Sequence, residues 1–241
     1  MHNRVYIESE SLKTGRAYAL SQDEAHHLIH VRRFKKGDKV EVIAHSGEIF
    51  QGVIKKDVFP VEIEIISKSE RSFSGPVVHL FFGMTKYPAM ETAVSKCAEL
   101  GVSSFIPVIC ERSVLRKISQ NRQNRLLKIA REALKQSRQK EAMAIDFSQR
   151  NLDDVLKNDV LKTCELKIAF FPSAPQRFSQ VLMKRKAKKI ALFIGPEGDF
   201  SPLEARLFEK HQIMTCSLGD TILRSDTAAI AASSAIRLFF D

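Results

Sequence analysis

The chain has 241 residues, no tryptophan, and 38 Lys and Arg against 28 Asp and Glu, a formal charge of +10. That length allows two domains of ordinary size with a sizeable core. No apolar run approaches a membrane span, and residues 1–8 mix polar and apolar side chains, so neither a secretory leader nor a membrane anchor is expected and the location is expected to be cytoplasmic. Cys97, Cys110, Cys164 and Cys216 lie far apart without a C-x-x-C pair, which predicts buried free thiols in a reducing compartment and no metal site.

Residues 1–72 read as antiparallel β. Segments 38–44, 48–54 and 61–66 alternate apolar and polar residues, and Lys36-Gly37-Asp38, His45-Ser46-Gly47 and Lys56-Asp57 supply turns between them. Short strands so spaced suggest a small β-barrel domain. A helix over 23–30 precedes the basic stretch Val31-Arg32-Arg33-Phe34-Lys35-Lys36-Gly37, for which a solvated turn is the plainer reading. His26, His27 and His30 lack a further ligand at a matching spacing and read as surface or capping residues.

Ser72-Phe-Ser-Gly-Pro76 is rich in chain breakers and serves as the expected linker. Over 73–241 the pattern changes to nearly all-apolar runs at 77–82, 105–109, 168–171, 190–194 and 213–218, separated by helical patterns. Strands apolar on both faces predict an α/β domain with a largely parallel sheet covered on each side. Met90, Val94, Cys97 and Leu100 form the apolar stripe of one helix, stopped by Gly101. From Arg112 to Lys140 there are ten Lys or Arg and one acid, Glu132. A helical wheel puts Leu126, Leu127, Ala130, Ala133 and Leu134 opposite Arg122, Arg125, Lys128, Arg131, Lys135 and Arg138, a cationic row suited to a polyanion. The run 184–189 is basic too and reads as a solvated loop.

Two glycine-marked turns follow strands near the C-terminus. The first runs Ile194, Gly195-Pro-Glu-Gly198, Asp199-Phe200, then Ser201-Pro-Leu-Glu204, a capping box with proline at the first helical position. The second runs Leu218-Gly-Asp-Thr-Ile-Leu-Arg224, then Ser225-Asp-Thr227, where Ser225 or Asp226 can cap an alanine-rich helix. Turns after strand carboxyl ends make ligand sites in open α/β sheets, so one shared pocket is expected. Neither turn carries the Lys of a phosphate loop, and GxGxxG is absent, so the pocket suits a flat neutral ring held by main-chain groups, with Arg224 nearby.

Gly195-Pro-Glu-Gly-Asp-Phe-Ser201 with Leu218-Gly-Asp-Thr-Ile-Leu-Arg-Ser-Asp-Thr-Ala-Ala229 resembles the paired signatures of the ribosomal RNA small subunit methyltransferase E family, within the SPOUT superfamily. Lys86-Tyr-Pro-Ala-Met-Glu91 with Lys96-Cys-Ala-Glu-Leu-Gly101, Glu111-Arg112-Ser113, and Gln136-Ser-Arg138 resemble further family segments. The chain departs at Asp199, where the family has glycine, at Asp226 for glutamate, at Thr221 for a basic or polar residue, and near Met143, where a proline is usual.

The resemblance implies a PUA-like RNA-binding barrel over 1–72, then a SPOUT domain over 73–241 whose backbone forms a trefoil knot around S-adenosylmethionine. It implies methylation of N3 of one uridine in small-subunit ribosomal RNA, naked or within the assembled subunit, by a homodimer. Phe171, Pro172, Ile194, Gly195, Pro196, Glu197, Gly198, Leu218, Gly219, Ile222, Leu223, Arg224, Ser225, Thr227 and Ala228 would hold the cofactor, and Arg32, Arg33, Lys35, Lys86, Arg112, Arg131 and Arg138 would meet RNA. Uridine N3 becomes nucleophilic once its proton leaves. Arg224 is the candidate to stabilise the resulting anion in a dry site, its plainer role being an ion pair with Asp226 or Glu197. Glu197 is the candidate base if burial raises its pKa, its plainer role being hydrogen bonding to turn amides. A ribose 2′-O-methyltransferase of the same superfamily, or a non-catalytic ribosome-assembly protein, are the alternatives.

Overall fold

The computed structural model describes residues 3–9, 11–69, 75–137, 139, 141–148 and 150–240. The expected linker residues 72–74, and Arg138, lie outside them. The chain divides into two compact units, Met1–Phe73 with Lys140–Ala142, and Ser74–Gln139 with Met143–Asp241.

The first unit holds β1 (Arg4–Ile7), β2 (Ala17–Ala19), α1 (Gln22–His26) continued by a π-helical turn over His27–Val31, β3 (Lys39–Ala44), β4 (Ile49–Lys56) and β5 (Glu62–Lys68). Its sheet runs β1-β3-β4-β5-β2. The alternating segments pair antiparallel, whereas β1 lies parallel to β3, a departure from the all-antiparallel expectation. All four β1 residues are buried, so no alternation marked it in the sequence. Register shifts between Gln51 and Gly52 and between Ile54 and Lys56 curl the sheet into a half-barrel around Val40, Val42, Ile54, Ile63 and Ile65.

The second unit runs β6 (Val77–Gly83), α2 (Tyr87–Glu99), β7 (Ser104–Ile109), α3 (Gln120–Ser137), β8 (Ala144–Ile145), β9 (Arg150–Asn151), α4 (Leu152–Leu156), α5 (Asp159–Lys162), β10 (Leu166–Phe170), α6 (Phe178–Lys184), β11 (Lys189–Ile194), α7 (Pro202–Lys210), β12 (Met214–Cys216) and α8 (Ser225–Phe240). The sheet order is β12-β10-β11-β6-β7-β8, with β9 also on β7, and every pairing is parallel.

Both faces are buried, as the apolar runs predict. Leu80 and Phe82 of β6, with Leu192 and Ile194 of β11, join one core with α2, α3 and α8. Phe81 and Phe193 point the other way, stack at 4.5 Å between ring centroids, and join Phe208 of α7 in the second core. Ala229 and Ala232 are fully buried, letting α8 lie close against α2 and the sheet. Parallel pairing brings the carboxyl ends of β6, β7, β10, β11 and β12 to one edge.

All four cysteines are buried and free. No helix among the described residues is long and apolar enough to cross a membrane.

Candidate active site

At that edge lies a cleft of about 410 Å³, within the range of small-molecule sites. Its walls are the turn after β11 (Ile194 to Glu197, and Asp199), the loop after β12 with the start of α8 (218–219, 221–226 and 228), Phe170, Phe171 and Pro172 at the end of β10, and Ala89 of α2.

The first turn is fixed from several sides. Asp199 N donates to Pro196 O at 2.9 Å, and Asp199 takes a left-handed φ of +61°, which Asp tolerates better than most residues. Ser201 and Glu204 form the predicted capping box of α7. Glu204 is buried and accepts from Ser201 N at 2.8 Å with one oxygen and from Glu111 N at 2.9 Å with the other. It thereby ties the exit of β7 to the turn. Arg112 adds a second tie, its Nη1 donating to Gly198 O at 2.9 Å. Below the turn, Gly83 at the end of β6 is in contact with the Gly195–Pro196 peptide. The second loop is held by Ser217 N donating to Gln176 O at 2.8 Å and by the Arg177–Asp220 ion pair.

Three carboxylates reach the cleft. Burial pushes Asp199 above the ordinary Asp pKa, against the opposing pull of the Phe200 amide and Arg112. Asp226 is buried, accepts from Thr227 N at 2.9 Å, and faces Arg224 Nε at 3.5 Å. It thus serves the first turn of α8, which begins at Ser225, rather than standing before it as a cap. Glu197 is exposed.

The expected cofactor residues line the cleft except Gly198 and Thr227. Gly198 faces the Arg112 side chain instead, and Thr227 is exposed. Ala89, Phe170, Asp199, Thr221 and Asp226 line it without having been expected. Asp199, Thr221 and Asp226 sit inside the glycine-marked segments and were within reach of a closer reading. Ala89 and Phe170 arrive from other elements with no local signal. Both candidate catalytic side chains lie open to solvent. The Arg224 side chain is 75% exposed, so no dry site surrounds it in the lone chain, and Asp226 is its ion-pair partner. Glu197 lacks the burial its role as a base required.

The cationic row also differs from expectation. Leu126, Ala130, Ala133 and Leu134 dock α3 as predicted, but α2 supplies compensation. Glu91 takes both Arg125 Nε and Nη2, at 2.5 and 2.7 Å, and Arg122 at 3.5 Å. Arg122 also sits 4.4 Å above the Tyr87 ring. Lys128 remains exposed and Arg131 half-buried. Lys86 is exposed at the start of α2. In the first unit Arg33 and Lys35 are exposed, and Arg32 is half-buried with its Nε on His27 Nε2 at 3.2 Å.

A family model described as an RNA methyltransferase domain matches residues 74–237, and one described as an RNA methyltransferase PUA domain matches 20–57. The chain is 28% identical to the Ribosomal RNA small subunit methyltransferase E of Buchnera aphidicola, covering 98% of this chain and 96% of that one. It is 28% identical to the Bacillus subtilis protein of the same name, covering 97% and 95%. A Legionella pneumophila protein solved with bound SAM superposes with a TM-score of 0.80 at 26% identity, over 99% of this chain and 98% of that one. The Ribosomal RNA small subunit methyltransferase E of Neisseria gonorrhoeae, at 20% identity and a TM-score of 0.82 over 100% and 98%, shares the fold. The chain belongs to the RNA methyltransferase family that this domain model defines, and carries that family's PUA domain.

Proposed function

We infer that this chain is an S-adenosylmethionine-dependent methyltransferase of small-subunit ribosomal RNA, and we propose N3 of one uridine as the atom methylated. The observation that carries this is the cleft between the two glycine-marked loops, in a chain that matches proteins of that activity over nearly its whole length. The cleft suits the cofactor: Phe170, Phe171, Ile222 and Leu223 offer apolar surface to a ring, and Asp199 and Asp226 offer negative charge to a cation. Main-chain groups at Gly195, Leu218 and Gly219 supply polar contacts between them. Bound there, S-adenosylmethionine supplies an electrophilic methyl group on a sulfonium sulfur.

The protein's part is to position and to exclude water. A base edge within RNA must leave its stack to reach such a cleft. Lys86, Arg112, Arg131 and the exposed cations of α3 hold the phosphates in this reading, with Arg32, Arg33 and Lys35 as contacts of the PUA unit, while the cleft selects the base. Arg224 stabilises the uridine anion once RNA covers it, because a cation aimed at developing charge is worth most out of water.

The same reading takes the domains as 1–72 and 73–241, the backbone of the second as a trefoil knot, and the protein as a cytoplasmic homodimer. Exposed Leu238 and Phe239 on α8 support a partner surface. The test is nucleoside mass spectrometry after incubating the protein and S-adenosylmethionine with small ribosomal subunits from cells lacking this gene. N3-methyluridine is expected; a 2′-O-methyl nucleoside, or RNA binding without transfer, supports the respective alternatives.

A further inference from the structure

We propose that the first unit grips an unpaired stretch of RNA at the tip between β4 and β5. The ring of Phe59 stacks on one base there, and Arg33, Lys35 and Lys36 take the neighbouring phosphates. The proposal rests on the RNA-methyltransferase reading above and adds the form of RNA that the PUA unit accepts and the side chain that selects it.

Val58 and Phe59 are 63% and 68% exposed, and no phenylalanine or tyrosine among the described residues is more open to solvent than Phe59. The other described aromatic side chains of the unit are spent on the fold. Phe50 is buried, Phe34 and Tyr18 pack on the same core, and Tyr6 is buried with its hydroxyl on His45 Nδ1 at 2.7 Å. The tip is pinned at both ends. Asp57 Oδ2 accepts from Lys36 N at 3.1 Å before it, and the carbonyl of buried Val61 accepts from Leu20 N at 2.8 Å after it. Residues 58–60 therefore stand out from a fixed base, and ordering them on a ligand costs little entropy.

The bond from Lys36 to Asp57 also sets the tip beside the basic turn. Residues 31–39 hold five Lys or Arg and one acid, Asp38. Arg33, Lys35 and Lys36 are exposed and, among the described residues, form no ion pair. Asp38 and Asp57 each spend a carboxylate oxygen on a main-chain amide, of Lys35 and Lys36 respectively. Lys55 is paired with Glu64 at 2.7 Å and Arg32 leans on His27, so both are already engaged.

A flat ring in water beside unpaired cations suits a single nucleic-acid strand, whose base offers a face to the ring while its backbone meets the charges. A duplex has no free base face, because each base is covered by its neighbours. A lipid surface fits less well, since two apolar side chains at a tip give little area for insertion. The unit also matches the RNA methyltransferase PUA model over 20–57, which ends at the foot of this tip.

The chain has no tryptophan, so Phe59→Trp installs a single fluorescent reporter at the tip of the full-length protein. Its emission should be quenched by a short oligocytidylate, which is unpaired and holds no uridine, and hardly by an RNA duplex of equal charge. By anisotropy, Phe59→Ala and Phe59→Leu should each bind oligocytidylate about 5- to 150-fold more weakly, the loss of one stacked base. Their duplex affinity and Tm should match wild type. Neither removes a cation, so the slope of log K against log salt should hold, whereas Lys36→Gln should lessen it by about 0.7. Wild-type affinity in Phe59→Leu would make the contact merely apolar and overturns stacking. So does an oligocytidylate affinity untouched by Phe59→Ala, or a reporter that answers to phosphatidylglycerol vesicles and not to RNA. Methyl transfer by the wild type to small ribosomal subunits is measured in parallel. Where it proceeds, those results strike Phe59 alone; a wild type that neither transfers nor binds RNA removes the underlying reading and this contact with it.

Discussion

Gly83→Ala is the sharpest probe of how the first turn is seated. A Cβ at Gly83 would stand 2.5 Å from Pro196 N, 2.6 Å from Pro196 Cδ and 2.9 Å from Gly195 C, where ordinary contact begins at 3.4 Å. The obstacle is main chain and a proline ring, neither of which can rotate away. β6 cannot yield either, since β11 and β7 hold it on both sides. The turn must therefore move by about 1 Å, and overpacking of this kind costs about 1–3 kcal/mol. For a chain of this size that lowers Tm by about 2–12 °C. If the turn holds the cofactor as proposed, its displacement removes one or two main-chain hydrogen bonds, each worth about 1 kcal/mol, so affinity should fall about 5- to 30-fold. Thermal unfolding and calorimetry with S-adenosylmethionine measure both effects. Gly198→Ala is the milder comparison: the added atom meets Arg112 Cβ at 3.3 Å, which has to give by only a few tenths of an ångström, so the loss of stability should stay below about 1 kcal/mol. Wild-type Tm and affinity in Gly83→Ala would refute the reasoning, because the turn would then be too compliant for its seat to matter.

Glu204→Gln replaces one of two acceptor oxygens by a donor and leaves either Ser201 N or Glu111 N unpaired. Denaturant unfolding should show a loss of about 1–3 kcal/mol with an unchanged m-value. Glu91→Gln frees Arg125 and Arg122 from their clamp; RNA affinity at low salt should rise, and the slope of log K against log salt should steepen by up to about 1.4. Fluorescence anisotropy checks this, and an unchanged slope would remove α3 from the RNA interface. Arg125 lowers the pKa of Glu91, so this pair supports the fold above the ordinary Glu pKa and fades only as pH falls through the lower native value. A disulfide reagent at pH 8 should leave the native thiols unlabelled and modify all four in denaturant, since all are buried and burial pushes Cys97 up to about 12 and Cys216 to about 11.

What could be read beforehand was whatever the chain records locally. Runs such as Lys189–Ile194 are apolar at every inward position because helices cover both faces, and that alone reveals a parallel sheet. The glycine turns marked the cleft because a sharp turn after a strand leaves its own residue pattern. β1 escaped because four buried residues in a row carry no period. The seat at Gly83, the tie from Glu204 to Glu111 and the clamp of Glu91 escaped for another reason. Each acts on a partner far along the chain: Gly83 on Pro196, Glu204 on Glu111, Glu91 on Arg125. Only the folded sheet brings those pairs together. The unpaired cationic face expected of α3 failed in the same way, since its acid comes from α2.

A binding seat written largely in peptide groups, as proposed for this cleft, separates two demands that side chains usually share. Ile222 is 84% exposed, and Glu197 and Thr221 are exposed as well, so these rim residues can be exchanged without disturbing the turns that carry them. Retuning which nucleotide is accepted then becomes a matter of decorating that rim. An engineer seeking new target selectivity should randomise positions 197, 221 and 222 and leave Gly83, Gly195, Pro196 and Arg224 alone.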